Sequence, residues 1–306
     1  MLKETRPFKK RFLILLVSII IILFSSSLVN AQWSSVSPPS VSADWELEGV
    51  YFTSSSDGWA VGYDYTNTKG VLLHYDGSNW SSVSPPFVSA WWMLNGVYFT
   101  SSSNGWAVGS DDTNHKGVLL HYDGSNWSSV SPPSVSADWG LGGVYFTSSS
   151  DGWAVGADFP NSKGVLLHYD GSNWSSVSPP SVSALWELKG VYFTSSSNGW
   201  AVGSDYTNSK GVLLHYDGSN WSSVSPPSVS AHWKLEGVYF TSSSDGWAVG
   251  YDVTNSTNSK GVLLHYYSSP SPQPIPTMTE WGMIIFIVIA GLGSIYYMRR
   301  KRRVES

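Results

Sequence analysis

A unit of 47 residues recurs five times in this chain of 306 residues. Each copy holds short apolar tracts rich in Val, Tyr, Phe, Trp and Thr, separated by Asp-Gly or Asn-Gly turns. A repeat of this length, built of strand-type tracts and hairpin-type turns, predicts an all-β fold, a five-bladed β-propeller with four-stranded blades. The string WSSVSPP marks the copies, beginning at Trp33, Trp80, Trp127, Trp174 and Trp221.

Within a copy, strand A is predicted at Gly49-Val50-Tyr51-Phe52-Thr53. The Ser-rich turn from Ser54 to Gly58 leads to strand B, Trp59-Ala60-Val61-Gly62. A polar stretch from Asp64 to Lys69 precedes strand C, Gly70 to Tyr75. The tight turn Asp76-Gly77-Ser78-Asn79 then opens strand D at Trp80. Tracts this short, bounded by turn residues, are strands joined by hairpins. Strands A to C lack a clean polar alternation, as expected where blades stack face to face and bury both sides. Strand D is more polar and ends in Pro85-Pro86, which suits a sheet edge.

The two ends of the repeat array complement each other. The chain opens with a D-type tract at Trp33 and closes on strand C at Val262 to Tyr266, where Tyr267-Ser268-Ser269-Pro270 replaces the usual turn and Trp. The N-terminal tract is therefore expected to complete the last blade and close a ring of five. An open array would leave sheet edges and apolar faces uncovered.

Outside the repeats lie two apolar segments. Lys3, Arg6, Lys9, Lys10 and Arg11 precede the apolar run Phe12 to Phe24, and Val29-Asn30-Ala31 provides a small-x-small site. Residues 1–31 read as a helical signal peptide, with an uncleaved anchor as the alternative. A second apolar run, residues 281–298, is just long enough for a transmembrane helix. The basic tail 299–306 should stay on the cytoplasmic side, leaving the repeats (32–267) and a Pro-rich spacer (268–280) outside. The chain is thus expected to be exported, and membrane-anchored at least before processing. The segment 32–267 has seven Lys, no Arg and 19 acids, a formal net charge of −12. That excess argues against nucleic acid as a partner. The absence of Cys removes disulfides and thiolate metal sites.

The units GVYFTSSSDGWAVG and GVLLHYDGSNW resemble the repeats of bacterial propellers of the BNR and photosystem II assembly-factor type, over residues 33–267. The resemblance implies the fold and carries no site residue across, since Asp76-Gly77-Ser78-Asn79-Trp80 is shorter than an Asp-box. The five-copy layout is also similar in architecture to tachylectin-type sugar-binding propellers. At the C-terminus, Ile275, Pro276, Thr277 and Met278, followed by Trp281 and Gly282, resemble the IPTL-CTERM sorting signal, with Met278 in place of its Leu. That resemblance implies an exosortase-type processing enzyme as a partner and the envelope of a Gram-negative-type bacterium as the location.

The chemistry-bearing residues recur rather than converge. One His per copy (His74, His121, His168, His215, His265) lies on strand C. Spread around the wheel, these cannot share a metal, so hydrogen-bonded structural roles are expected. Asp57, Asp151 and Asp245 alternate with Asn104 and Asn198 at the A–B turn, so charge is dispensable there. Asp64, Asp111, Asp158, Asp205 and Asp252 each precede an Asn by three residues, the spacing of an Asx-type turn. No nucleophile–base pair, phosphate loop or metal motif is apparent, and catalysis needs groups in unlike environments. The sequence therefore predicts no enzyme activity, no metal and no cofactor, but a non-catalytic binding module. A lectin-like propeller is the alternative, and a glycosidase-type propeller is less favoured.

The copies differ mainly in the D–A linkers and the B–C turns. Variation falls at Asp44, Trp91, Asp138, Leu185 and His232, at Glu46 and Glu48 and their counterparts, and at Tyr65, Asp112, Phe159, Tyr206 and Val253. Those connections share one face of a blade ring. That face is expected to bind a glycan or envelope protein through one Trp per copy, Trp45, Trp92, Trp139, Trp186 and Trp233.

Overall fold

A computed structural model describes residues 34–254 and 259–268. The signal segment, the sorting motif and the C-terminal apolar run lie outside these residues. Among the described residues no helix is long and apolar enough to cross a membrane. Residues 34–38 fall with the preceding chain in a separate unit, and they carry no strand.

The remaining described chain is all-β and forms five antiparallel sheets in sequence, the organisation of propeller blades. Blade 1 comprises β1 (Trp45–Ser54), β2 (Asp57–Asp64), β3 (Lys69–Tyr75) and β4 (Trp80–Val83), hydrogen-bonded in that order. Blade 2 repeats this with β5 (Trp92–Ser101), β6 (Asn104–Asp111), β7 (Lys116–Tyr122) and β8 (Trp127–Val130). Blade 3 contains β9 (Trp139–Ser148), β10 (Asp151–Asp158), β11 (Lys163–Tyr169) and β12 (Trp174–Val177). Blade 4 contains β13 (Trp186–Ser195), β14 (Asn198–Asp205), β15 (Lys210–Tyr216) and β16 (Trp221–Val224). Blade 5 has only β17 (Trp233–Ser242), β18 (Asp245–Asp252) and β19 (Lys260–Tyr267).

Strand A is longer than its apolar tract suggested, because it begins at the recurrent Trp. A register shift between Leu47 and Gly49 puts the varied residue Glu48 at a bulge, and the same shift recurs in the other blades. At the C–D turn, Gly77 and its counterparts Gly124, Gly171 and Gly218 have φ of 94 to 96°, the left-handed region in which glycine pays no steric penalty.

The joints between blades form the core. In the first joint Trp59 stacks on Phe99 (centroids 5.6 Å apart, 17° between planes) and meets Trp127 edge-on at 5.4 Å. The next two joints repeat this geometry with Trp106 on Phe146 and Trp153 on Phe193. Leu94, Val97 and Phe99 of blade 2 close against Trp59, Val61 and Leu72 of blade 1 in one cluster. Burying each such side chain contributes roughly 1.5–3 kcal/mol.

The expected ring closure is not found in the described residues. The last sheet has three strands, and residues 34–44 carry none; Trp33 itself lies outside the description. Pairing of the N-terminal tract with β19 would require blade 1 to adjoin blade 5. Instead β17 and β1 lack the extensive packing seen between β1 and β5, β5 and β9, β9 and β13, and β13 and β17. Val41 packs with Trp45 and Trp80 on Ala60, Val71 and Leu73 of blade 1. The outward faces of blades 1 and 5 are accordingly exposed.

Candidate functional site

Antiparallel connectivity sorts the turns to two ends of each blade. Backbone bonds tie the D–A linker to the B–C turn: Tyr65 N donates to Asp44 O at 2.9 Å, and Trp92 N to Thr68 O at 3.1 Å. The A–B and C–D turns occupy the opposite end. The varied positions therefore do gather at one end of the blades.

The aromatic residues expected to face a ligand there do not. Trp92, Trp139, Trp186 and Trp233 are only 2–3% exposed. Each indole lies over a glycine of the preceding blade: Trp92 over Gly70, Trp139 over Gly117, Trp186 over Gly164 and Trp233 over Gly211. A Cβ at any of those glycines would collide with the ring. These Trp residues are core, and this corrects their expected role as ligand contacts. Trp45 is half-buried because blade 1 has no blade before it.

What this end does expose is a different set of large apolar side chains. Away from the outward faces of blades 1 and 5, the last strand β19 and the described N-terminal residues, the exposed large hydrophobics are Tyr65, Phe87, Trp91, Phe159, Leu185, Tyr206 and Val229. All lie in D–A linkers or B–C turns. Charged residues are set among them. Tyr65 donates its hydroxyl to Glu46 and Tyr206 to Glu187, and Lys234 Nζ sits 4.2 Å from the centre of the Tyr206 ring. The Glu46 hydrogen bond, followed by desolvation, pushes the Tyr65 phenol up to about 12.

Beneath this surface the Asp–Asn spacing forms the expected Asx-type turn. Asn114 N donates to Asp111 Oδ1 at 3.0 Å and its amide Nδ2 to Oδ2 at 2.7 Å, while Ser89 Oγ donates to Oδ1 at 2.7 Å. Blades 1 and 4 repeat the set with Asp64 and Asp205, and Asp158 binds Asn161. Burial raises the affinity of Asp64, Asp111 and Asp205 for a proton. The donors outweigh it and hold all three carboxyls below the usual range. Donors from the protein itself occupy these oxygens, so the carboxylates anchor the varied turns.

At the opposite end the copies are nearly identical. Each strand C His approaches the residue that opens strand B, with His74 2.8 Å from Asp57 and His121 2.9 Å from Asn104. The same pairing joins His168 to Asp151, His215 to Asn198 and His265 to Asp245. Each His ring also lies 4.1–4.6 Å from the Trp of strand B. These are the hydrogen-bonded structural histidines that the sequence predicted. Burial pushes His121 and His215, whose partners are amides, below the ordinary imidazole value.

Between successive blades this end opens into clefts of about 480, 460 and 420 Å³. Hydroxyls line them: Thr53, Ser54, Thr100 and Ser101 in the first, beside Asp57 and His74. Tyr51, Tyr98, Tyr145, Tyr192 and Tyr239 form a ladder along the inner strands, with ring centres 4.7–4.9 Å apart. Burial, then the neighbouring phenols, pushes Tyr98 and Tyr192 far above the ordinary tyrosine value, so they stay neutral hydrogen-bonding groups.

No family model matches the sequence, and no curated protein matches it. Solved structures do resemble the fold. YCF48 bound to a D1 peptide aligns at 16% identity, covering 76% of this chain and 100% of that one, with a TM-score of 0.34. YCF48 from Cyanidioschyzon merolae aligns at 14%, covering 73% and 95%, with a TM-score of 0.36. A GH43 endo-arabinanase from Bacillus licheniformis aligns at 15%, covering 72% and 93%, with a TM-score of 0.40. These likenesses concern the fold alone.

Proposed function

We propose that this protein is a non-catalytic binding module, exported and held at the cell envelope, which engages a protein partner through the end that carries the D–A linkers and B–C turns. One observation carries the reading. Away from the two outward blade faces, the last strand β19 and the described N-terminal residues, the exposed large apolar side chains all lie at that end, mostly at positions that differ between copies. Exposed aromatic groups among charges suit a protein surface, since they offer large contact area with little entropy lost on ordering. Unlike side chains on each blade fit one extended, irregular partner better than five equal ligands. The leader, the sorting-type motif and the basic tail support the envelope location and an exosortase-type processing partner.

Catalysis has less support. The repeated His–Asp pair becomes His–Asn in blades 2 and 4 with the same geometry, so a carboxylate is dispensable there. The test uses the full chain in detergent, incubated with solubilised envelope proteins and with a glycan array. Replacing Tyr65, Trp91, Phe159, Leu185 and Tyr206 with Ser should abolish capture of a discrete envelope protein while the fold is retained. Retained capture would refute the assignment.

A second reading rests on the hydroxyl-lined clefts at the other end, which suit a small hydroxylated ligand such as a sugar. Under that lectin-like reading, the glycan array gives hits that disappear in a Thr100→Val, Ser101→Ala variant and survive the loss of the exposed aromatics.

A further inference from the structure

The two outward faces of the blade array are unfinished halves of the joint that recurs four times inside it. On blade 5, Trp247, Val249 and Leu263 are 42%, 44% and 71% exposed. Their counterparts in blade 2, Trp106, Val108 and Leu119, are 3%, 0% and 1% exposed. On blade 1, Leu47, Val50 and Phe52 are 44%, 61% and 47% exposed, against 0%, 8% and 2% for Leu94, Val97 and Phe99. A terminal repeat normally presents a polar outer surface. Neither face here has been made polar; both keep the residues of the buried joints.

The halves also match as knob and socket. Gly70, Gly117, Gly164 and Gly211 each receive the Trp that opens the next blade. Gly261, the fifth in the series, has nothing within 4 Å of where a Cβ would stand, and Trp45, the fifth knob, has no blade to enter. The fourth joint is incomplete in another way. Where earlier joints hold Trp127, Trp174 or Trp221 on the outer strand, the sequence has a serine at the equivalent position, 271, and an apolar groove of about 330 Å³ opens in this joint. Trp200, Leu213, Phe240, Leu264 and Tyr266 line it. A fifth WSSV tract exists at residues 33–36, at the same distance ahead of β1 as Trp80–Val83 lies ahead of β5.

We propose that the occupant of the blade 5 face is blade 1 of a second copy of this chain. Within one chain, four successive joints of the same geometry leave the two faces uncovered and apart. In a second copy both complements arrive together. Docking its Trp45 over Gly261 sets its Phe52 against Trp247, as Trp92 over Gly70 sets Phe99 against Trp59 in the first joint. The contact is heterologous, head to tail, so each chain added leaves one half-joint open for the next. Addition continues until a ring closes or a filament forms.

Val50 and Leu263 are well exposed in the single chain, so charge can be placed there without touching an internal joint. Light scattering on the full chain in detergent should show a mass that rises with protein concentration beyond two chains. Val50→Glu blocks the head and Leu263→Glu blocks the tail. Each variant alone should remain a single chain with an unchanged circular dichroism spectrum and melting temperature. Mixed in equal amounts, they should form a two-chain particle and nothing larger, because only the tail of the first and the head of the second survive. Gly261→Glu should behave as Leu263→Glu does. A single-chain mass for the unaltered protein at every concentration would overturn the proposal in favour of closure within one chain. Oligomers that persist in both single variants would place the contact elsewhere, the apolar C-terminal run included, and would overturn it equally.

Discussion

Blades 3 and 5 share nearly the same sequence through strands A, B and C but not the same surroundings. In blade 3, Trp153 and Val155 are 3% and 0% exposed; in blade 5, the equivalent Trp247 and Val249 are 42% and 44% exposed. The strands, their pairing and the His contact are alike in both. The neighbour differs, because blade 3 has a blade on each side and blade 5 on one. Local sequence therefore decides that these residues form strands, and the adjacent repeat decides whether their faces contribute to stability. Repeat proteins behave this way in general, with stability distributed over nearest-neighbour interfaces.

The largest difference should appear when the same aromatic group is removed in both settings. Trp106→Ala empties a filled joint and should cost about 3–5 kcal/mol. Trp247→Ala, measured on the single chain, should cost less than about 1 kcal/mol. Urea unfolding of both variants checks this, and equal losses would mean that the blade 5 face is covered.

The buried Asx turn gives the next effect. Asp111→Ala strands the donors from Ser89, Thr113 and Asn114, and should cost about 1–3 kcal/mol, read in the same unfolding assay. The glycine sockets sharpen the comparison with a smaller change. Gly117→Leu drives a side chain into Trp139 and should cost about 1–3 kcal/mol. Gly261→Leu meets no neighbour, and should leave the single chain's melting temperature nearly unchanged.

Titration separates the blades more weakly. His121 and His215 have folded-state values depressed by burial, so the unfolded chain binds protons more readily as pH falls below about 6.5. Stability should fall as pH drops through that window and be restored above it. Melting curves between neutral and mildly acidic pH should show the slope, and His121→Gln should flatten it. The depressed carboxyls Asp64, Asp111 and Asp205 act in a more acidic window. Their stabilisation is present above the ordinary Asp value and is lost as pH falls through their lower folded values.

Much of the architecture was legible in the sequence, and the reasons are local. Gly77 and Asn79 mark the C–D hairpin, the Val-Leu-Leu and Trp-Ala-Val tracts mark buried strands, and the Asp64–Asn67 spacing marks a turn closed by its own side chains. The gathering of varied residues at one end followed from antiparallel connectivity alone. Two readings depended on what lies beside a strand, and there the sequence was silent. A Trp that opens strand A looks the same whether it faces a ligand or the glycine of another blade; Gly70, paired with it across a joint, was the signal available. The exposed aromatics, Tyr65, Trp91, Phe159 and Tyr206, were already visible as varied positions, and their mixture of types distinguishes them from the constant core Trp. Ring closure was inferred from complementary ends, and complementarity does not specify whether the two ends belong to one chain.

Hydroxyl-radical footprinting of the full chain across a dilution series tests most directly whether neighbouring blades, rather than local sequence, set burial. At high dilution, Phe52, Trp247 and Leu263 should be labelled strongly while Phe99, Trp106 and Leu119 stay protected. The first three should become protected as concentration rises. Protection of both faces at the lowest concentration, where the chain is single, would contradict the open array and establish that the two ends meet within one molecule.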